Sequence, residues 1–397
     1  MKTLLLFLMA ASAWGAPCAG ANGYAFCQTL VLDHTKVAAN LSNYPAAICF
    51  GVGMGANCLQ NSKQLATAAN GGFLQDSTHG YDFIFTSDSG GTMPYTYETS
   101  IHNLVTGDTE IWILIPSASS TVDLTVYMFY GNASITTDQS NATAVWDSDY
   151  LAVHHMQLTS GQWSVAVPLT DSTGANPMVI NDVSGSRFPV DAIVGVVGGA
   201  ADLATGSSVA AAFINGGPFT NFPANGSPGP FTLEGWFNVN GAATSGEAYC
   251  FGNNATDGSR WALFWTGSGW LIEARNRNVS FAGATSGWHR IVTELPSGQN
   301  NLTAAVIYID GVLTSVSGAG GTFAPFYTST AYSSGVLCGN SVQEHYKGYT
   351  DELRFSKIQR SADWVLTDYN NQSNVKAFWS NSTTGTSSQT GRTIIIN

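Results

Sequence analysis

The segment 122–158 (VDLTVYMFYGNASITTDQSNATAVWDSDYLAVHHMQL) constrains this chain more than any other. In its first part Val122, Leu124, Val126 and Met128 alternate with Asp123, Thr125 and Tyr127. That two-residue period is a half-buried strand. Gly131-Asn132 stops it, a Ser/Thr/Asn/Asp-rich connection follows, and a new apolar stretch opens near Tyr150. One domain therefore ends and another begins inside this segment. Trp146 is a large apolar group in what composition alone reads as a linker. It is expected to be buried at an interface between two rigidly joined domains.

Composition sets the class on either side. The 397 residues leave room for two ordinary domains. Charged residues are 10% and glycines number 43, while Thr, Ser, Asn and aromatic residues abound. That usage favours strands and turns. The net charge of -12 is spread thinly and argues for solubility. It also excludes nucleic acid as a partner, because an acidic surface gains nothing from counterion release. Residues 1–16 read as a secretory signal, with Lys2 before a short apolar run and Ala13-Trp14-Gly15 near the cleavage point. That run is too short to span a bilayer, and no later stretch reaches spanning length. The expected location is secreted or at the cell surface. An even cysteine count in an exported chain reads as disulfides. Proximity and domain membership pair Cys18 with Cys27, Cys49 with Cys58, and Cys250 with Cys338. A zinc site would want C-x₂-C spacing and a nearby histidine, and neither is present.

Residues 24–33, 46–52, 81–86, 94–99, 111–115 and 122–130 read as short strands punctuated by turns, the spacing of a β-sandwich. Gly51, Gly53 and Gly55 raise the question of a phosphate loop. No Gly-Lys-Ser/Thr and no long helix follow them, so they read as a loop. His34-Thr35-Lys36-Val37, Asn43-Tyr44-Pro45, Asn70-Gly71-Gly72, Tyr81-Asp82-Phe83-Ile84-Phe85-Thr86-Ser87-Asp88, Ile111-Trp112-Ile113, residues 126–132 and Val145-Trp146-Asp147-Ser148 recur in this order in a known domain. Over roughly 24–148 the chain resembles a β-rich domain of unknown function common in secreted bacterial, archaeal and phage-associated proteins. That resemblance implies no activity.

In the second half, residues 231–237 form a clear strand and Asp310-Gly311 a tight hairpin turn. Residues 231–237, Gly287-Trp288-His289-Arg290, residues 307–312 and 348–356, running on through Arg360-Ser361-Ala362-Asp363-Trp364, resemble the laminin-G-like, concanavalin A-like jelly roll. Asp171-Ser172-Thr173-Gly174 matches an early loop of that family. The expected fold is all-β, with two tandem β-sandwich domains. They occupy 17–148 and 149–372, the second being the jelly roll, and 373–397 form a flexible polar tail. Lectins, adhesion modules and hydrolases all use this fold, so function must come from the site.

Glycoside hydrolysis needs two positioned carboxylates. The Glu-x-Asp-x-x-Glu strand of hydrolases with this fold is absent, and Asp351-Glu352, as strand neighbours, are expected to face opposite ways. His154-His155 invite a metal reading, yet they too should diverge, so a hydrogen-bonded structural role is expected. No Gly-x-Ser-x-Gly elbow supports serine hydrolysis. Calcium is the one cofactor with a motive, because the jelly-roll resemblance implies loop carboxylates at Asp171 and Asp351. The competing reading makes Asp171 a turn cap. For a sugar, the richest aromatic and polar cluster is Trp261, Trp265 and Trp270 with Arg275 and Asn276. The competing reading makes those tryptophans a central core strand. Asn-x-Ser/Thr sequons recur, Asn371 among them. The expectation is a non-enzymatic protein binding a glycan or surface polysaccharide, or acting in adhesion, at a cell or particle surface. The alternative is a structural surface, fibre or virion component with protein partners, and a polysaccharide-degrading enzyme comes last.

Overall fold

The computed structural model describes residues 18, 23–59, 63–164, 167–181, 190–203, 212–214, 229–239, 245–252, 260–274, 276–322, 346–381 and 385–386. The chain is all-β, and every ladder between strands among the described residues is antiparallel. The expected signal segment 1–16 lies outside the described residues. Among those described, no helix is long and apolar enough to cross a membrane.

Alternation along the strands builds a first sandwich. One sheet orders Phe26–Leu32, Leu124–Tyr130 and Phe83–Thr86. The other orders Leu41–Phe50, Thr109–Ala118 and Tyr97–His102. Leu30, Phe85, Val126 and Met128 from the first share a core with Ile48, Ile111, Ile113 and Ile115 from the second. Each such side chain contributes about 1.5–3 kcal/mol by leaving water. The period of two turns Glu110 and Trp112 to the opposite face of that second sheet. Glu98 sits beside them, in register with Trp112.

A second sandwich follows. Its larger sheet centres on Phe231–Val239, flanked by Gly287–Leu295 and Tyr349–Ser356. Tyr150–His154 also pairs with Tyr349–Ser356. Its smaller sheet runs Gly246–Gly252, Arg260–Trp265, Trp270–Glu273, Asn278–Phe281 and Val316–Ser317. Phe231 packs edge-on against Phe251 and Trp261 across the gap, at 4.8 and 4.9 Å between centroids.

The helix Ala362–Ser373 lies between the two sandwiches. Ser361 caps it by accepting from Trp364 N. Its buried face is largely polar: Thr367, Asp368, Asn371 and Gln372. From there the chain returns to the first sandwich. Trp379–Asn381 and Gly385–Thr386 both pair with Phe26–Leu32. The flexible tail expected from residue 373 is therefore corrected over 373–381, where Ser373 ends the helix and Val375, Phe378 and Trp379 are buried in the first core. A Ser/Asn-rich composition concealed these three apolar anchors.

Trp146 is 3% exposed and belongs to the same cluster as Trp236 and Trp364 of the second half. The expected interface is present. Two of the expected disulfides form, Cys18–Cys27 and Cys49–Cys58, with Cα separations of 6.3 and 5.0 Å. Cys250 is disulfide-bonded as well. Its expected partner Cys338 lies outside the described residues.

Candidate functional site

The residues singled out for sugar binding do not form an open platform. Trp261, Trp265 and Trp270 are 0, 3 and 1% exposed and belong to the core of the second sandwich. Trp261 donates to Thr293 Oγ1 across that core, and Trp270 to the Ala284 carbonyl. Both faces of Arg260–Trp265 are covered by protein, which is why its apolar residues do not alternate. Asn276 is exposed in a left-handed turn with φ 58°. Arg275 lies outside the described residues.

Asp171 caps its own loop. Its Oδ1 accepts from Val153 N and Thr173 N, and its Oδ2 from the Thr173 hydroxyl, Ala175 N and Asn176 N. With those lone pairs engaged, it has little left for calcium. Asp351 is fully buried, and its Oδ2 accepts from Val196 N and Val197 N at 2.8 and 3.2 Å. Neither aspartate belongs to a metal-sized cluster of three ligands among the described residues. The donor set at these two positions does not fit calcium.

A different group of charges occupies the seam between the sandwiches. Glu98, Glu110 and Trp112 come from the outer face of the first. His155, Glu234, Arg290, Asp351, Glu352 and Arg354 come from the second, and Asp368 from the helix. His155 Nδ1 faces Glu352 Oε1 at 2.8 Å and its Nε2 faces Glu98 Oε2 at 3.3 Å. Burial alone would lower the His155 pKa, but Glu352 and Glu98 reverse that and raise it to about 10. It is an imidazolium donating from both nitrogens. Glu110, Glu352 and His155 place ligand atoms within 4.8 Å of one another. As the structure stands, each ring nitrogen of His155 meets a carboxylate, the arrangement of a buried ion pair.

Arg354 donates to Glu352 at 2.7 Å and stacks 4.3 Å over Trp112 of the first sandwich. Arg290 pairs with Glu234 at 2.9 Å and with Asp368. Carboxylates still outnumber cations, and protons correct the imbalance. Burial and neighbouring Glu352 push the Glu110 pKa up to about 8. Burial, Glu352 and Glu110 hold Asp351 well above the carboxylate range.

Asp351 and Glu352 were expected to face opposite sides. Glu352 instead adopts φ 52°, where the register slips between Glu234 and Trp236. This bulge puts Glu352 and Leu353 opposite Gly235 alone, breaks the alternation, and buries both carboxylates in one centre. His154 and His155 take the structural roles expected of them, His154 Nδ1 lying 3.0 Å from the Thr170 carbonyl. The seam is sealed from substrate, since every member is under a tenth exposed.

The open chemistry lies elsewhere, on the first sandwich. The His79 and Tyr81 rings stack 4.8 Å apart and 5° from parallel. With Phe83, Tyr97 and His102 they wall a pocket of 190 Å³ that also presents Thr99, Asp138 and Ser140. Local chemistry fixes this shelf. Asp76 accepts from Thr78 N, His79 N and Tyr81 N. Gly80 between the two rings has φ 70°, and a Cβ there would sit 2.6 Å from the His102 ring. His102 Nε2 lies 2.9 Å from the Leu65 carbonyl, which only accepts, so Nε2 carries the proton. Burial lowers the His102 pKa, leaving a neutral ring whose Nδ1 is an acceptor. The 138–141 loop is held by Asn141 N donating to Tyr97 O at 2.7 Å. Sequence reasoning read Tyr81 as the start of a strand and passed over this site, because His79-Gly80 close a turn with no period to read.

The fold and this pocket define an all-β protein with a shallow, aromatic-walled polar site. Neither protein-family models nor curated proteins gave a match to the chain. Among solved structures it is similar to domain 4 of AbnA, a GH43 extracellular arabinanase from Geobacillus stearothermophilus, in complex with arabinotriose. Identity there is 16% over 56% of this chain and 98% of that one, with TM-score 0.39. It is similar also to the botulinum neurotoxin serotype D binding domain, at 10% identity over 58% of this chain and 53% of that one, TM-score 0.37. A third similarity is to the CBM40 of Ruminococcus gnavus IT-sialidase bound to α2,3 sialyllactose, at 13% identity over 35% and 82%, TM-score 0.29. At these values the likeness carries no argument about activity.

Proposed function

We propose that this chain is an exported, non-catalytic carbohydrate-binding protein acting in adhesion at a cell or particle surface, and that the sugar sits on the His79–Tyr81 shelf. The observation that carries this reading is the pair of parallel, stacked rings, whose outer face is open, beside a carboxylate and two hydroxyls. A pyranose has an apolar C–H face for the rings and a rim of hydroxyls for polar partners. Its hydroxyls donate to Asp138 and to His102 Nδ1 and exchange hydrogen bonds with Thr99 and Ser140. A few such contacts at about 1 kcal/mol each, with one stacking contact, amount to about 4 kcal/mol, a dissociation constant near ~1 mM. Useful retention then comes from many copies of the sugar on a polymer or surface.

Hydrolysis by two carboxylates finds no support in this pocket, where Asp138 is the one acid among the lining residues. The second sandwich, read as laminin-G-like, holds the first in a fixed orientation through the charged seam. Disulfides fit the exported reading. A glycan array and a polysaccharide pull-down, run with and without EDTA, test the proposal. Retention on at least one polymer, insensitive to EDTA, is expected, and no retention on any polymer overturns it.

A further inference from the structure

The shelf pocket does not end at its own wall. At 190 Å³ it falls below the roughly 300–1,000 Å³ of ordinary small-molecule sites. A cleft of 570 Å³ opens beside it, between the first sandwich and residues 157–160 of the second, and His102 lines both. Gly80 marks where they meet. A Cβ there would lie 2.6 Å from the His102 ring and 2.5 Å from Leu104 of the cleft.

The edge strand Tyr97–His102 produces this arrangement. Thr99 pairs with Ile111 and Ile101 with Glu110, so Ser100 is an extra residue, a bulge. Strict alternation would turn His102 away from Thr99. The bulge returns it to the face of Tyr97 and Thr99, in the shelf pocket, and leaves Ser100 and Ile101 in the cleft. Two pockets thus flank the end of one strand.

The cleft combines partly buried apolar groups, Ile101, Leu104 and Leu158, with polar ones whose positions are already set. Asn103 Oδ1 accepts from Val105 N and Thr106 N, which fixes the amide and leaves Nδ2 free to donate. Asp108 is held by Gly53 N at 3.2 Å and by the Thr106 hydroxyl at 2.8 Å, and each of its oxygens keeps a lone pair. On the opposite wall the Thr159 and Ser160 hydroxyls make no hydrogen bond among the described residues, while Gln157 is anchored to the Pro168 carbonyl at 3.0 Å. Little ordering remains to be done when a ligand arrives. Neither pocket is lined by a lysine or an arginine, and each presents an aspartate, Asp138 in one and Asp108 in the other. Such a lining repels anions and accepts from hydroxyls.

We propose that the cleft is a second subsite for the same ligand, so that the protein binds an internal stretch of a neutral polysaccharide running from the His79–Tyr81 shelf across His102 into the cleft. This rests on the reading of the shelf as a sugar site. One unit stacks on the shelf, and later units exchange hydrogen bonds with Asn103, Asp108, Thr159 and Ser160. Affinity then grows with ligand length, because a unit tethered to one already bound meets its subsite at high effective concentration.

Isothermal titration of the full-length protein with cello-, xylo-, manno- and arabino-oligosaccharides of one to six units tests it. At least one series should bind, its tetrasaccharide or longer members at least tenfold more tightly than its disaccharide. The double variant Asn103→Asp with Ser160→Ala keeps the acceptor that the turn needs and removes two donors from the cleft. At unchanged melting temperature it should lower hexasaccharide affinity at least fivefold and bind the disaccharide as the wild type does. Tyr81→Ala should weaken every length. Affinity that does not rise with length, or hexasaccharide binding unaltered in the double variant, overturns the second subsite and leaves the shelf reading standing. Loss in the double variant with Tyr81→Ala unaltered overturns the shelf reading and the shared path with it. Binding of no series at any length overturns both.

Discussion

Asn371 on the helix closes both backbone groups of Ala47 on the first sandwich. Its Oδ1 accepts from Ala47 N at 2.7 Å and its Nδ2 donates to Ala47 O at 2.9 Å. Leu41–Phe50 is an edge strand, and a side-chain amide here serves as the missing neighbour. The sequon at Asn371 is therefore engaged in the fold, fully buried.

Asn371→Ala leaves a buried N–H without its acceptor and opens a small void. The expected loss is about 2–4 kcal/mol in urea unfolding. Asn371→Asp should cost at least as much, because a carboxylate cannot donate to Ala47 O. A change within ~0.5 kcal/mol for both variants would show that the helix does not seal this edge.

The seam sets a pH dependence. Glu110 has a folded pKa of about 8 against an ordinary 4.5, so the folded state holds a proton that the unfolded state releases. That contribution is complete below about 4.5 and lost as pH rises through 8. His155 acts with the same sign, complete below 6.5 and lost as pH rises through about 10. Glu98, Glu352 and Asp368 have lowered pKa values and oppose this only in acid. The melting temperature should fall steadily from pH 6.5 to 10. Glu110→Gln should flatten the part below pH 8 and raise stability at pH 8, which thermal scans across that range will read.

Gly198 sits at the tip of the hairpin between Val190–Val194 and Gly199–Asp202. It has φ 72°, and a Cβ there would fall 1.9 Å from Glu110 Oε2 and 3.0 Å from the Ile101 side chain. Neighbouring Val196 and Val197 belong to the core cluster of the first sandwich. Gly198→Ala should push this plug out of its socket, costing about 2–4 kcal/mol. Limited proteolysis should then cut between the sandwiches, while the wild type resists under the same conditions.

Much of the fold was legible because a period of two is local. The strands around Ile111 and Val126 announce themselves within a few residues, and Trp146 stood out as too apolar for a linker. The bulge at Glu352 was not legible, since alternation assumes a regular register and the slip depends on Gly235 in another strand. The tail failed for a related reason. Trp379 is visible in the sequence, but the strand it pairs with lies near the N-terminus, and nothing local encodes that closure. The tryptophans at 261, 265 and 270 show the converse error. A run apolar on both faces reads as a core before it reads as a platform, and only the second sheet decides.

Ending the chain at Asn374 removes the strands that flank Phe26–Leu32 and exposes the cavity left by Phe378 and Trp379. That truncation should yield aggregated protein, because an unpaired apolar edge recruits other chains. Monomeric, fully folded protein in size-exclusion chromatography would show that residues 375–397 are dispensable to the first sandwich.

Retention on immobilised neutral polysaccharides, compared between wild type and Tyr81→Ala, tests the central claim most directly. Tyr81 is partly exposed, so its loss removes half of the aromatic shelf while the core stays intact. Retention of the wild type on at least one polymer, reduced at least tenfold in Tyr81→Ala at equal melting temperature, is the predicted result. Wild type and Tyr81→Ala retained alike would contradict a sugar site on the His79–Tyr81 shelf.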